Sequence, residues 1–424
     1  MTVELNLTRL SARLTLALLV LIGCSLLLVI VVSRFVIGTL ADERLAVRRD
    51  TLKVPLEYFP GSARLNARLA AAEMSESDRD LESAGLYAGR AVSLSPFDYR
   101  FRLTLASVKE AGGDRRGAEE SLRAASLLAP NYWSAHYRLA NLLVREGKLD
   151  ESLEEFQKAV GANDTLLPGA LDLLWRASGG DVAAVRTVSG NNAKAKLALA
   201  QFLLSKSRPQ EAADVFGSID RDARIAWPAE SSAFLNTLIA SGKFETALDL
   251  WSGLRGVDRR GSLVWNGGFE SDTLNNFTQF DWSFGRSEYA RLSIDSSVAR
   301  SGSRSLKIEF AGRDTTQLDN EIRQLLPVRP GSRYLLECYA KTSELETPEG
   351  PRVVVTDGAS SSWIGVSEPV GPGTSDWRRL SVEFTVPQGT NGAVFVSIKR
   401  KPRFSYDEPT RGAVWFDDFS MREL

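Results

Sequence analysis

Hydrophobic residues follow three different patterns along the chain, and each pattern predicts a different kind of element. From Leu14 to Ser33, 20 consecutive residues carry no charge, and as a helix this run spans about 30 Å, the thickness of a bilayer's hydrocarbon core. Over residues 62–260 the apolar positions recur at the helical period, whereas from residue 261 they alternate with polar positions, as in strands. The sequence therefore predicts a multidomain α plus β chain that begins with a transmembrane helix.

The apolar segment, residues 14–33, predicts an uncleaved membrane anchor rather than a signal peptide. It exceeds a usual signal-peptide core, and no small-x-small cleavage site precedes a polar mature start. A short tail, residues 1–13, precedes it, and residues 34–61 are expected to form a juxtamembrane helical stalk. The arginines after the span favour a cytoplasmic location for the rest of the chain, but long domains translocate largely regardless of flanking charge.

A repeat of 34 residues organises the helical region. Small residues recur at this interval in three series, which are Ala72, Ala106 and Ala140; Ala84, Ala118 and Ser152; and Ala91, Ala125 and Ala159. Small side chains at such positions allow two helices to approach closely. Residues 165–192 break the phase and contain Pro168, Gly179 and Gly180, so they form either a degraded repeat or shortened helices that bend the array.

The period and the repeated residues resemble those of tetratricopeptide repeats. Residues 133–164 are the clearest copy, with Leu139 and Ala140 on the first helix and Ala159 on the second. The resemblance implies an α-solenoid over residues 62–260 that binds a protein or peptide partner and has no catalytic residues.

In tetratricopeptide repeats the first helix of each repeat faces the binding groove, and this position suggests four candidate contacts. These candidates are Arg102, Lys109, His136 and Asn141. For His136 the alternative interpretation is a helix-face residue that is satisfied by a polar partner.

Residues 261–424 are predicted to form an antiparallel β-sandwich, specifically a jelly roll, because short alternating runs are separated by clusters of Gly, Pro, Ser, Asp and Asn. The segments NGGFE, FDWSF, ARSGSRSLKIEF, VRPGSRYLLECYAKT, SDWRRLSVEFTVP and WFDDF follow one another in this region. Their order resembles carbohydrate-binding modules of the galactose-binding-like jelly-roll type. The similarity covers nearly all of residues 263–424.

The resemblance also implies a structural calcium ion (Ca2+) where the first and last strands meet. The implied ligand residues are Gly268, through its carbonyl, Glu270, Asp417 and Asp418. A carbonyl of Ser303 or Arg304 is a possible further ligand. Calcium prefers oxygen ligands of these kinds. The alternative is that Glu270 caps a turn and the aspartates are solvated.

Sugar recognition requires exposed aromatic faces that stack on pyranose rings. The aromatic residues in predicted loops are Trp363, Phe404, Tyr406 and Tyr289. We take these as the candidate carbohydrate-binding residues, although sandwich loops also tuck aromatic side chains beneath themselves. The remaining large aromatics fall at positions that pack the core in the family, namely Phe269, Trp282, Trp377, Phe384, Trp415 and Phe419.

Composition then excludes several functions. With 52 basic and 53 acidic residues the chain has no basic field for binding nucleic acid. A single histidine removes most His-based metal and nucleophile sites, and Cys24 and Cys338 are too far apart to indicate a disulfide framework. Paired carboxylates are present in residues 407–408 and 417–418, but the repeats and the sandwich leave no catalytic domain, so we do not expect an enzyme.

These features together predict a scaffold anchored in the bacterial inner (cytoplasmic) membrane by one pass, with its domains outside the cytoplasm. The repeats would bind a protein and the sandwich a polysaccharide, in cell-envelope or exopolysaccharide assembly. The alternative is a protein–protein adaptor whose sandwich is a structural or docking domain; a glycan-active enzyme is the weaker third hypothesis.

Overall fold

The structure is a computed structural model that describes residues 10–43, 48–75, 79–256, 262–272, 276–404 and 409–424. The chain forms two compact units, residues 1–190 and residues 191–424. The predicted boundary at residue 261 lies outside the described residues. Helices and strands succeed one another in the predicted order, so the fold class is confirmed.

The first unit is helical throughout its described part. Its helices are α1 Leu10–Glu43, α2 Arg49–Tyr58, α3 Ala63–Ser75, α4 Leu81–Leu94, α5 Tyr99–Ala111, α6 Arg115–Leu128, α7 Trp133–Arg145, α8 Leu149–Ala162, α9 Leu167–Ala177 and α10 Val182–Ser189. A 3₁₀ turn at Asp164–Leu166 precedes α9. Residues 165–192 thus contain two short helices, of 11 and 8 residues.

Helix α1 contains the predicted apolar segment. Its stretch Arg13–Ser33 is long and apolar enough to cross a membrane, and none of it is buried in the protein. A signal sequence would have the same properties. The helix continues to Glu43, so the predicted stalk begins as an extension of the apolar helix.

The repeat predicted from the small residues is confirmed by the packing of α3 to α8. Every member of the three series is fully buried. Ala106 and Ala118 share a core cluster with leucines of α6 and α7, so the absence of larger side chains lets consecutive helices come together. Gly113 and Gly147 recur for a backbone reason, because their φ angles of 79° and 76° lie in the region that favours glycine.

The second unit combines helices with a β-sandwich. Its helices are α11 Ala193–Ser205, α12 Pro209–Gly217, α13 Arg221–Ala226, α14 Pro228–Ala240 and α15 Phe244–Arg255. Its strands are β1 Ser283–Phe284, β2 Ala290–Asp295, β3 Ser305–Ala311, β4 Ile322–Pro327, β5 Arg333–Glu346, β6 Arg352–Asp357, β7 Trp363–Val366, β8 Gly373–Thr385, β9 Ala393–Lys399 and β10 Arg411–Glu423.

The strands form two five-stranded antiparallel sheets. The first sheet has the order β1-β4-β9-β6-β7 and the second has the order β2-β3-β10-β5-β8. From β3 onward the chain passes from one sheet to the other, except at the β6–β7 hairpin. Alternate residues of each strand point between the sheets, for example Leu306, Ile308 and Phe310 of β3, and these form one apolar core.

Four of the six aromatics predicted to pack the core do so, namely Phe269, Trp282, Phe384 and Phe419. The other two, Trp415 and Trp377, lie outside the core cluster between the sheets, although Trp415 is also buried. Trp415 lies on the outward side of β10, since its neighbours Val414 and Phe416 point inward. Its indole N–H donates to Asp295 over 2.8 Å. Trp377 is half-buried and lies outside the core cluster.

Helix α15 is joined to the sandwich by buried contacts. The Trp251 indole N–H donates to the Phe277 carbonyl over 2.6 Å, and its ring packs edge-on against Phe280 at a centroid distance of 5.8 Å. Arg255 Nη2 lies 3.2 Å from Asp281 Oδ2, with side-chain exposures of 6% and 0%. Burial raises the pKa of Asp281, while the Trp282 N–H and the Arg255 charge act in the opposite direction.

Replacement of Ala106 by leucine tests the close helix packing. Because Ala106 has no exposed surface, Ala106→Leu should lower the free energy of unfolding by about 1–3 kcal/mol through overpacking. Urea unfolding of the full-length protein in detergent micelles measures the change. Ala111→Leu, an exposed position in the same helix, is the matched control and should change stability by no more than about 0.5 kcal/mol. Equal effects would contradict the packing argument.

Arg255→Met tests the docking of α15. The substitution leaves the Asp281 carboxylate buried without its cation, which should cost about 3–5 kcal/mol of stability. Adding Asp281→Leu should restore much of the loss, because both charges are then absent from the interior. Thermal and urea unfolding measure both variants, with Arg116→Met, at a side chain that is 92% exposed, as control. If Arg255→Met is no less stable than Arg116→Met, the Arg255–Asp281 pair does not stabilise the docking of α15.

Candidate functional site

The four residues implied as calcium ligands come together where the first and last segments of the sandwich meet. A Cβ placed on Gly268 would lie 3.6 Å from Asp417 Oδ1, 3.7 Å from Asp418 Oδ1 and 3.8 Å from Glu270 Cγ. The Phe419 N–H donates to the Gly267 carbonyl over 2.9 Å, and this bond holds the two segments side by side. Gly267 must be glycine because a Cβ there would lie 1.9 Å from the Phe419 carbonyl oxygen.

Glu270 caps the turn before β3, as the alternative interpretation expects. Its Oε1 accepts hydrogen bonds from the N–H groups of Ser303 and Arg304 over 2.8 and 2.9 Å, and its Oε2 accepts from Ser303 Oγ over 2.7 Å. The hydrogen bonds from Ser303 lower the pKa of the Glu270 carboxyl. The turn contains Gly302 with φ of 63°, where a side chain would also collide with Glu270.

The two aspartates differ in environment. Asp417 is fully buried, and its Oδ2 accepts from the main-chain N–H of Arg300 over 2.7 Å. Burial raises the pKa of Asp417, and the neighbouring Asp418 charge adds to the effect. Asp418 is half-buried and binds Arg300 Nη1 at 2.5 Å and Ser301 Oγ at 2.6 Å. Both carboxylates therefore already have donors from the protein.

This acidic cluster, Gly268, Glu270, Asp417 and Asp418, fits calcium in the chemistry of its oxygens and in its charge. A cation would relieve the repulsion between Asp417 and Asp418 that favours the neutral form of Asp417. Within the described residues, no group of three or more His, Cys, Asp or Glu side chains is placed to hold a metal. Calcium would therefore depend on main-chain carbonyls such as that of Gly268 for several of its ligands.

A second candidate site is the outer face of the first sheet, the side directed away from the core. Because Val353 and Val355 of β6 point into the core, Thr356 points outward. Thr356 is paired with Trp363 of β7 on one side and with Phe395 of β9 on the other. Phe395 is in turn paired with Leu325 of β4. We call this line of four side chains the Trp363 row.

Trp363 is the one sequence-predicted sugar contact that lies on this row. It is 42% exposed, and Lys401 Nζ lies 5.3 Å from the centroid of its ring. A cavity of about 180 Å³ beside it is also lined by Glu349, Arg352 and Lys399.

Phe395 was not predicted as a site residue. It lies in the strand segment AVFVSIK, and its half-buried ring has the Arg323 guanidinium 4.8 Å from its centroid. The alternation of residues in this segment could have revealed it. Val394, Val396 and Ile398 point into the core, which leaves Phe395 on the opposite face of the sheet.

The other predicted sugar contacts do not join the row in the described part of the chain. Phe404 is 55% exposed and follows β9. Tyr289 is half-buried and leads into β2 of the second sheet, so the fold separates it from Trp363. Tyr406 lies outside the described residues.

The four candidate partner contacts on the repeats all bond within the repeats. Arg102 Nε donates to the Pro96 carbonyl over 3.3 Å, Lys109 Nζ to the Gly117 carbonyl over 3.3 Å, and Asn141 Nδ2 to the Tyr137 carbonyl over 2.7 Å. These three side chains are half-buried, so each retains some surface.

His136 is a buried residue with polar partners, as the alternative interpretation describes. Its Nδ1 lies 2.6 Å from Glu155 Oε2 and its Nε2 lies 2.8 Å from the Pro130 carbonyl oxygen. Burial disfavours the Glu155 carboxylate, but hydrogen bonds from Lys158 and His136 outweigh it and lower the pKa of Glu155. The ring is only 4% exposed and adjoins a cavity of about 510 Å³.

Comparison with known families assigns both folded regions. Residues 261–402 match the family model described as "Carbohydrate binding domain", and residues 103–166 match the model described as "Tetratricopeptide repeat". No curated protein matches the chain. The chain therefore contains tetratricopeptide repeats and a C-terminal domain of the carbohydrate-binding-module type.

Solved structures of both kinds are similar to parts of the chain. A structure titled "CBM4 structure and function" has 18% identity and a TM-score of 0.27, and the match covers 38% of this chain and 99% of that one. PilF of Pseudomonas aeruginosa has 20% identity and a TM-score of 0.30, with 44% and 86% covered. MamA from Desulfovibrio magneticus has 19% identity and a TM-score of 0.26, with 37% and 92% covered.

Proposed function

We propose that this protein is a membrane-anchored, non-enzymatic scaffold. Its sandwich binds polysaccharide on the outer face of the first sheet, and its repeats bind a protein partner. The setting that accounts for this combination is cell-envelope or exopolysaccharide assembly in a bacterium, at the inner membrane. The observation that carries the proposal is the Trp363 row, in a domain of the carbohydrate-binding-module type.

The Trp363 row has the composition of a sugar-binding surface. Two aromatic rings, Trp363 and Phe395, lie on one face and are separated by the strand that carries Thr356. The two strands that carry the rings are about 10 Å apart, since neighbouring strands are about 4.8 Å apart. Aromatic rings stack on the apolar faces of pyranoses. Thr356, between the two rings, is only 4% exposed, so the rings themselves provide the contact surface.

The anchor and the orientation follow from the combination of domains. An apolar helix that spans Arg13–Ser33 retains the protein at the membrane in this proposal. Polysaccharide is found outside the cytoplasm, so the domains that follow the helix are placed there. The arginines after the helix do not oppose this orientation strongly. The rule that positively charged segments stay in the cytoplasm applies to short loops, whereas long domains are translocated largely regardless of charge.

The proposed calcium ion has a structural role at the acidic cluster. It would link the opening segment to β10 through Glu270 and Asp417, far from the Trp363 row, and would take no part in sugar contact. The paired aspartates are assigned to this clasp and not to hydrolysis, because Asp417 is buried and bound by main-chain N–H groups.

A protein–protein adaptor is the second candidate function, and one observation favours it. The sandwich already docks the last repeat helix through Trp251 and the buried Arg255–Asp281 pair, so its surface accepts a helix. In this alternative the outer face of the first sheet would bind protein or remain bare.

Substitution of the two rings separates the candidates. Trp363→Ala and Phe395→Ala should each weaken polysaccharide binding by about 5–150-fold, since loss of one stacking ring removes roughly 1–3 kcal/mol of contact energy. Binding is measured by affinity electrophoresis and calorimetry of the full-length protein in micelles against xylan, β-glucan, alginate and polygalacturonate. Trp377→Ala, a half-buried tryptophan on the other sheet, is the control. If no polysaccharide binds the unsubstituted protein, the adaptor is the better description.

Calcium is tested by thermal unfolding with and without a chelator. A ligand that binds only the folded protein must stabilise it, so 1 mM calcium, on the order of tenfold or more above a dissociation constant near 10⁻⁴ M, should raise the unfolding midpoint of the sandwich transition. Asp417→Asn should abolish the increase, whereas Asp376→Asn, at an exposed carboxylate of β8, should preserve it. Identical midpoints in calcium and chelator would refute the site.

A further inference from the structure

We infer that the polysaccharide bound at the Trp363 row is anionic and carries carboxylates, as uronic acid polymers do, and that Lys401 and Arg323 bind these groups. The inference rests on the proposed function and specifies the chemical class of the ligand. It comes from the distribution of charge around the two rings of the row.

Two ammonium groups share one carboxylate beside Trp363. Lys399 Nζ lies 2.7 Å from Asp319 Oδ1 and is buried, whereas Lys401 Nζ lies 3.8 Å from the same oxygen and is 51% exposed. Burial opposes the ionised form of Asp319, but the hydrogen bond and charge of Lys399 outweigh it and lower the Asp319 pKa. The negative charge of Asp319 is therefore balanced mainly by the buried Lys399. The positive charge on Lys401 remains available at the surface.

The remaining charges beside Trp363 cancel. Arg352 forms an ion pair with Glu349. Among the described residues that line this cavity or pair with its lysines, Lys399, Lys401 and Arg352 carry three positive charges, and Asp319 and Glu349 carry two negative charges, so one positive charge is left over. That charge belongs to the exposed ammonium group at 5.3 Å from the Trp363 ring.

The second ring of the row also has a cation. Arg323 is exposed and its guanidinium lies over the Phe395 ring, 4.8 Å from the centroid. In the part of the chain that the structure describes, no carboxylate forms an ion pair with it. Its main chain is paired with Ser397 of β9, which places it on the same outer face as Phe395.

The same combination of groups thus occurs twice along the face: an aromatic ring with an incompletely compensated cation beside it. The ring suits the apolar face of a pyranose, and the cation suits a carboxylate on that sugar, with which it forms charge-assisted hydrogen bonds. The separation of about 10 Å between the strands that carry the rings corresponds to the length of a disaccharide, so alternate sugars of a uronate-containing polymer would meet the two pairs. A neutral polymer would cover both cations without providing a partner, which costs free energy.

The test compares acidic polymers with their own neutral forms. Alginate, polygalacturonate and hyaluronan are each used before and after chemical reduction of the carboxyl groups, which removes the charge and keeps the linkages. The full-length protein in micelles is titrated by calorimetry at low and at physiological salt. At least one acidic polymer should bind about tenfold more tightly than its reduced form, and the difference should shrink as salt increases.

The variants assign the effect to the row. Lys401→Ala should weaken binding of the acidic polymer about tenfold and leave binding of the reduced polymer unchanged, and Lys401→Arg should retain binding. Lys341→Ala is the matched control, because it removes the same charge from the second sheet, where Lys341 pairs with the exposed Asp376. Trp363→Ala should weaken both forms. Circular dichroism of each variant confirms that it is folded.

The possible failures are distinct. If a neutral polymer such as xylan or β-glucan binds and no acidic polymer is preferred over its reduced form, the anionic class is wrong and the proposed sugar-binding function stands. If no polymer of either kind binds, both are wrong. If acidic polymers bind but Lys341→Ala weakens them as much as Lys401→Ala, the attraction is a general charge effect and the assignment to the Trp363 row is refuted.

Discussion

The sandwich depends on the meeting of its first segment with its last strand. Strand β10 lies in the middle of the second sheet, between β3 and β5, and it also hydrogen-bonds to the opening segment through Phe419 and Gly267. The ring of Phe269 then packs edge-on against Phe419 at 6.0 Å. Without this contact one end of the core would be open to water and the acidic cluster would not form, so the site and the core share one constraint.

A different constraint governs the helical repeats. There the stability comes from small side chains at fixed intervals, which let helices approach until their leucines interlock. The two regions meet within the second unit, where α15 contributes Trp251 and Arg255 to a buried contact with the sandwich. The terminal repeat helix thereby covers apolar surface that a further repeat would otherwise bury.

Charged side chains have different roles in the acidic cluster and on the outer face of the first sheet. In the acidic cluster the carboxylates are bound by N–H groups of neighbouring turns, and the charges hold chain segments together. On the outer face of the first sheet the rings of Trp363 and Phe395 each lie beside a cation, and only part of that charge is compensated inside the protein. The carboxylates of the acidic cluster are thus bound within the protein, whereas the cations beside the two rings are suited to binding a ligand.

The fold class could be predicted from local patterns along the chain, because each pattern has a local cause. Helical and strand periods and the 34-residue recurrence of small residues depend on residues near in the chain, and all were predicted. Motif order also indicated that Gly268, Glu270, Asp417 and Asp418 approach one another. The predictions from periods and recurrence required only spacing and residue size, whereas the approach of these four residues was implied by the resemblance to carbohydrate-binding modules.

Which side chains share a face depends instead on how distant strands pair. Trp415 was assigned to the core, but the alternation of β10 directs it outward, and Phe395 was overlooked although it is paired through Thr356 with Trp363. Which residue of one strand lies opposite which of another depends on register between distant segments, which no local pattern encodes. For the same reason, the cations beside the two rings and the buried pair of Arg255 and Asp281 could not be found from the sequence.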